Sequence, residues 1–287
     1  MSNSESNETL TRMGPGAAMG RVFRQFWQPA LLSEELPVAD CPPVRVRLMG
    51  EDFVAFRDSS GKVGLLDAHC PHRLADLFFG RNEEGGLRCV YHGWKFSVAG
   101  EILDMPSEPQ GSPMRCNPNL RAKAYPVREA GGIIWAYLGP QESMPALPDM
   151  EFMSLPPQNV HVSKCLMKCN YLQALEGSID TAHLTFLHHS MAPMEKDVFA
   201  VGNLQEFGDA DGAPRFFCED TDFGMRISAR RDGGNGNYYW RITQWLMPNY
   251  VLVPTAEGLV CRANLFIAID DENCWWYRVR YHVGRPL

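Results

Sequence analysis

From Val44 onward the chain alternates apolar and polar residues in short runs. Val44-Arg-Val-Arg-Leu48 is followed by Phe53-Val-Ala-Phe56 and Val63-Gly-Leu-Leu66, with Gly and Asp-Ser-Ser-Gly turns between them. A period of two broken by turn residues predicts short antiparallel strands. The pattern continues to Gly131-Gly-Ile-Ile-Trp-Ala-Tyr-Leu138, which reads as a buried strand. Residues 1–12 are polar and read as a frayed end, while the apolar and aromatic positions between Gly14 and Leu36 predict a helix or two. Residues 139–157 carry Pro140, Pro145, Pro148, Pro156 and Pro157 and little periodicity, so the domain boundary is placed there, dividing 1–145 from 146–287. Beyond it Val160–Lys168 alternates as a strand and Asn170–Phe186 predicts a helix. Strand-like runs at 216–219, 224–230, 238–244, 250–253, 259–269 and 275–283 follow. The expected class is α+β: a small all-β domain, then a domain built on an antiparallel sheet.

Composition narrows the partners more than the fold. Of 287 residues, 45% are apolar and 21% charged, as in ordinary globular domains. The balance of 27 Lys and Arg against 34 Asp and Glu gives −7, so the basic footprint of a nucleic-acid binder is missing. No apolar run reaches the roughly 18 residues of a membrane span. The first ten residues lack the basic and apolar regions of a secretory leader, which makes the cytoplasm the expected address. Nine cysteines, an odd number spread along the chain, argue for thiols and metal ligands over a disulfide framework. Cys165 and Cys169 are expected to be ordinary buried thiols on one face of a strand.

Two of the cysteines have a histidine close behind. Cys70-Pro71-His72 and Cys89-Val90-Tyr91-His92 lie in two loops between strand-like segments. Two thiolates and two imidazoles suit either a tetrahedral Zn²⁺ or a [2Fe–2S] cluster with histidines on one iron. Order separates the two. A zinc finger takes both thiolates from one hairpin and both imidazoles from one helix, whereas here each loop donates one of each.

On these residues the chain resembles the Rieske family. Respiratory Rieske proteins add a cysteine to each loop, and Pro71, Arg73 to Ala75, Val90 and Tyr91 hold none. That difference favours the oxygenase-type module.

A second cluster of ligand-type residues lies at Glu176, Asp180, His183 and His188. On a continuous helix the first three share a face. His188 joins them only where the helix ends or distorts near Leu187. A polar stripe on an apolar helix is costly to bury unless it binds something, and two histidines with a carboxylate suit non-haem Fe(II). Behind a Rieske pattern, this order resembles the large subunits of Rieske non-haem iron oxygenases over essentially the whole chain. Gly14-Pro-Gly16, Arg81 to Cys89 and Asp104-Met-Pro-Ser-Glu-Pro109 look most like the phthalate dioxygenase branch.

The resemblance implies a helix-grip second domain, a [2Fe–2S] cluster on Cys70, His72, Cys89 and His92, and mononuclear Fe(II) on His183 and His188. It implies Asp180 as an electron bridge to His92 of a neighbouring subunit in a trimer or stacked trimers. It implies an NADH-dependent flavin and iron–sulfur reductase as electron donor. The family's third iron ligand is an aspartate on a C-terminal helix. No such helix follows Trp275–Val283, and Asp270 and Asp271 read as a turn, so the second domain is expected to be incomplete at its C-terminus. Arg230 and Arg231 are candidates to face the inside of the sheet and pair with a substrate carboxylate, and Ser178 to line the pocket. The expected activity is ring dioxygenation by O2 of an aromatic substrate, with an aromatic carboxylate as a candidate. The alternatives are a monooxygenase or O-demethylase built from the same parts, or a non-catalytic electron carrier.

Overall fold

Two short helices, α1 (Ser4–Thr11) and α2 (Ala18–Phe23), precede strand β1 (Gln28–Leu32). The polar N-terminus is therefore helical where fraying is predicted. None of its side chains is buried, and the Thr9 and Thr11 hydroxyls donate back to the Glu5 and Asn7 carbonyls. Leu31 and Leu32, read as helical, belong to β1, whose five residues are all buried. A strand covered on both faces loses its alternation and looks like a buried helix. The computed structural model describes residues 4–187, 211–254 and 260–287. These fall into two units, Met1–Ser154 with Ala268–Asp271, and Leu155–Ile267 with Glu272–Leu287.

The first unit is made of short antiparallel strands. They are β2 (Val44–Leu48), β3 (Glu51–Arg57), β4 (Val63–Asp67), β5 (Arg81–Glu83), β6 (Gly86–Arg88), β7 (Lys95–Phe96), β8 (Ile102–Asp104), β9 (Ala124–Tyr125), β10 (Val127–Ala130) and β11 (Ile133–Ala136). One sheet runs β2-β3-β4-β9, a second β5-β6-β7-β8 and a third β1-β11-β10. Val54, Phe56, Leu66, Leu77, Leu87, Trp94, Phe96 and Met105 form one core together with Cys70 and Cys89. Each large side chain in it contributes on the order of 1.5–3 kcal/mol by leaving water. The two cysteines are thus part of a buried core.

The second unit is a seven-stranded antiparallel sheet. Strand β12 (Val160–Met167) leads into helices α3 (Tyr171–Ile179) and α4 (Leu184–Leu187). Then come β13 (Arg215–Thr221), β14 (Gly224–Gly234), β15 (Asn237–Leu246), β16 (Tyr250–Val253), β17 (Cys261–Ala268) and β18 (Cys274–Tyr281). Six strands form a meander from β13 to β18, and β12 pairs with β18 at the far edge. Helix α3 starts on Asn170, whose side chain accepts from the Leu172 amide at 3.0 Å. It buries Tyr171, Ala174 and Leu175, spaced as one helical stripe. Among the described residues no helix is long and apolar enough to cross a membrane. Cys165 is exposed and Cys169 half-buried, contrary to the buried pair predicted: β12 ends at Met167, so the two do not share a strand face.

Candidate functional site

The two cysteine loops repeat one backbone design. In the first, the Cys70 amide donates to the Ala75 carbonyl at 2.9 Å and the Leu74 amide to the Cys70 carbonyl at 2.9 Å. In the second, the Cys89 amide donates to the Trp94 carbonyl at 2.8 Å and the Gly93 amide to the Cys89 carbonyl at 3.1 Å. Each loop closes through a residue in the left-handed region, Leu74 at φ 57° and Gly93 at φ 75°. The chain thereby turns back within a few residues and presents one thiol and one imidazole from each loop. Arg88 braces the second loop, donating to the Gly93 carbonyl and to Asp104, each at 2.8 Å, and to Glu83 at 2.7 Å.

Both thiols are buried and lie against each other. Burial pushes Cys70 up to about 11, reinforced by Cys89 and opposed by the His72 and Arg73 amides. The two imidazoles sit together, with ring centroids 4.7 Å apart, and His72 stacks flat on Trp94 at 4.4 Å. Trp94 is fixed in turn by its indole N–H, which donates to Ser107 Oγ at 3.2 Å. Burial, then the charges of His92 and Arg73, lowers the His72 pKa and favours the neutral ring that binds metal. A pair of thiols beside a pair of imidazoles fits a [2Fe–2S] group with cysteines on one iron and histidines on the other.

Gly93 is held for two reasons. Its φ is costly for any side chain, and a Cβ there would come within 2.6 Å of Pro106 Cγ. Gly93→Ala is expected to cost about 2 kcal/mol and lower the melting point of this unit by roughly 4–8 °C. Gly61→Ala, at φ 84° with open space around it, is the control for backbone strain alone and should cost about half as much. Thermal melts monitored by the visible absorption of the cluster check both.

The predicted helix 170–186 does not run through. Helix α3 ends at Ile179, and Asp180 stands beyond it with extended backbone, φ −69° and ψ 133°. Asp180 then caps the next turn of the chain. Oδ1 accepts from the Ala182 amide at 2.8 Å, and Oδ2 from the His183 amide at 3.1 Å. Oδ2 also lies 3.0 Å from His183 Nδ1. So Asp180 and His183 do meet, through a capping turn and not through a shared helical face. Glu176, expected on the same stripe, is exposed on α3. Burial pushes the Asp180 carboxyl up, but the Ala182 and His183 amides and the His183 ring outweigh it and hold it below the usual range. A carboxylate on Nδ1 keeps the proton there and leaves Nε2 as the lone-pair nitrogen, which suits a metal ligand. His188 lies outside the described residues.

Cross-strand register shows which side chains share the face under α3. Arg231 pairs with Tyr239, Ala229 with Arg241, Val251 with Asn264 and Val253 with Arg262, all on that face. Ser178 on α3 accepts from Asn264 Nδ2 at 3.1 Å, and Asn264 Oδ1 accepts from Trp276 Nε1 at 3.0 Å. Arg230 is on the other face, its guanidinium 4.2 Å over the Tyr238 ring and near Trp240 and Phe217. The inward position expected of Arg230 is held by Arg231, because alternation sends neighbours to opposite sides. Arg241 and Arg262 were missed as candidates. The sequence pattern points away from them: the more apolar positions of their strands, Tyr238, Trp240 and Ile242 on β15 and Ala263, Leu265 and Ile267 on β17, lie on the opposite face. Burial lowers the Arg241 pKa first, with Arg231 and Arg262 adding like charge against Tyr239. Arg241 Nε and Arg231 Nη1 are buried without a hydrogen-bond partner among the described residues.

A model of the family described as LigXa C-terminal domain like matches residues 136–285, and one of the Rieske [2Fe-2S] domain matches residues 26–126. The chain is 39% identical over 284 residues to the 3-chlorobenzoate-3,4-dioxygenase oxygenase subunit of Comamonas testosteroni, covering 98% of this chain and 64% of that protein. It is 39% identical over 291 residues to the phthalate 4,5-dioxygenase oxygenase subunit of Pseudomonas putida, covering 100% of this chain and 65% of that one. The chain thus spans less than two thirds of these relatives' length. Dicamba monooxygenase bound to 3,6 dichlorosalicylic acid superposes with a TM-score of 0.71 at 20% identity, over 90% of this chain and 77% of that one. That likeness concerns the fold.

Proposed function

The chain belongs to the Rieske oxygenase family, a Rieske [2Fe–2S] domain ahead of a LigXa-like C-terminal domain, and from that premise we propose that it is the oxygenase component of an aromatic ring-hydroxylating dioxygenase acting on an anionic aromatic acid. The observation that carries the substrate class is the group of arginines under α3. Arg241 and Arg262 share a half-buried face, burial lowers both pKa values, and Arg241 Nε is buried without a partner among the described residues. The buried Arg241 Nε is a donor with bonding capacity left, and Arg262 on the same face adds positive charge near it, which together favour an anion there. A carboxylate on an aromatic ring would supply that charge, and bidentate pairing would fix the orientation of the ring. The named relatives acting on 3-chlorobenzoate and phthalate are in keeping with this.

The remaining roles follow the sequence reading. Cys70, Cys89, His72 and His92 would hold the cluster, and His183 with His188 the mononuclear iron. The chemistry these metals supply is one-electron transfer and the activation of O2. Asp180 keeps the Nδ1 proton of His183 in place and serves as the bridge for electrons. Ser178, through Asn264 and Trp276, would set one wall of the substrate site. Electrons would come from an NADH-dependent flavin and iron–sulfur reductase, in a cytoplasmic trimer or stacked trimers.

The test is turnover with isotopically labelled O2, NADH, a reductase and benzoate- or phthalate-class acids. Both labelled atoms in the product are expected. One atom would replace the reading with monooxygenation or O-demethylation. None, with about two irons per chain, would make the protein an electron carrier. Arg241→Met is expected to weaken binding of the acid by at least about tenfold, from the loss of about 1.5–3 kcal/mol. Calorimetric titration against the matching carboxamide, whose binding should change little, checks this.

A further inference from the structure

Arg231 is fully buried on β14, yet neither the metal ligands nor the substrate-facing arginines include it. Its Nη2 donates to the Thr181 carbonyl at 2.7 Å and its Nε to the Asp211 carbonyl at 3.1 Å. Asp211 is secured as well: its carboxylate accepts from the Asp232 amide at 2.9 Å and the Ala213 amide at 3.0 Å. Thr181 is itself buried and stands directly between the Asp180 cap and the turn that carries His183. Burial works against the Arg231 charge, with Tyr239, Asp211 and Asp180 countering it. A guanidinium kept at such cost, with two of its donors on backbone carbonyls, marks a place where main-chain position matters.

We propose that Arg231 is a positioning residue for the mononuclear iron site: by holding the Thr181 carbonyl against β14, it fixes the extended break after α3 in which Asp180 caps Ala182 and His183 and orients the His183 ring. The inference rests on the reading of His183 as an iron ligand. The geometry itself is local. With Thr181 released, the capping turn loses this tie to the sheet, and the His183 ring loses its fixed aim. Lysine keeps the charge but has one nitrogen where arginine uses Nε and Nη2 on two separate carbonyls, so it should not replace the clamp.

Residue-resolved amide hydrogen exchange on the whole chain, with Fe(II) affinity from chelator competition, tests this. In the wild type the Ala182 and His183 amides should be protected. In Arg231→Lys they should exchange at least about tenfold faster, with β15, β16 and the cluster spectrum unchanged. Fe(II) affinity should fall about tenfold or more, as for other groups that orient metal ligands. Unprotected amides in the wild type would overturn the proposal without need of any variant. So would retained protection in Arg231→Lys, faster exchange spread over the whole sheet, or faster exchange with unchanged iron affinity. His183→Ala separates this from the iron reading: if it leaves Fe(II) affinity unaltered, His183 is no ligand, while the exchange data still decide whether Arg231 holds the turn.

Discussion

Cys89→Ser is expected to abolish the cluster, removing about two irons per chain along with the red-brown colour and all electron flow to the second site. The chemistry is local to the two thiols. Cys70 and Cys89 are buried against each other, and burial keeps Cys70 protonated up to about 11 in the protein alone. Binding iron therefore releases protons, and a cluster assembled here is held more weakly as the pH falls. Serine is nearly the same size and should disturb the core around Trp94 and Phe96 by only about 1 kcal/mol. Its hydroxyl, however, does not ionise near neutral pH and is a poor substitute for thiolate on iron. The expected protein is thus folded but colourless. Iron counting, visible absorption and circular dichroism on one preparation check it. A variant that keeps two irons and a Rieske spectrum would mean that Cys89 is not a ligand.

The cluster loops were readable in the sequence because everything they need is local. Each cysteine and histidine lies within four residues of its partner, and Gly93 is the residue type that a left-handed closing turn favours. The meander of the second unit was equally plain, since half-buried strands advertise their period. The break at Asp180 was not. Helical periodicity counts residues and is blind to an aspartate that prefers to bond the amides two and three residues ahead. A spacing of three serves both a helical face and a capping turn, so the Asp180–His183 pair came out right through a wrong route. Strand β1 failed for the opposite reason: it is buried throughout, so its pattern held no period to read. The choice between Arg230 and Arg231 was legible, since Met225, Ile227 and Ala229 alternate with Arg226 and Ser228 and put Arg231 on the apolar side. Arg241 and Arg262 were not, because placing them under α3 takes the register of β14 to β17, which depends on pairings distant in sequence.

Asp180→Asn is the substitution expected to separate electron transfer from iron binding. Asparagine retains one carbonyl oxygen, so it can still accept from the Ala182 or the His183 amide and keep the turn. What it loses is the negative charge 3.0 Å from His183 Nδ1. The aspartate holds the Nδ1 proton and leaves Nε2 for iron. An amide is a weaker acceptor, and flipped it would oppose its own N–H to that of the ring. Both carboxylate oxygens already accept bonds within the turn, and Oδ1, with a single such bond, retains a lone pair for a further donor. A cluster histidine N–H is the donor that the bridge role requires. Asparagine removes the charge that joins the two. The variant should keep its mononuclear iron to within about tenfold in affinity and keep its cluster spectrum. Oxidation of the reduced cluster in a single turnover should slow by at least about a hundredfold, on the order of 3 kcal/mol. Loss of the mononuclear iron together with the rate would instead make Asp180 a ligand, taking the place of the carboxylate that such sites require.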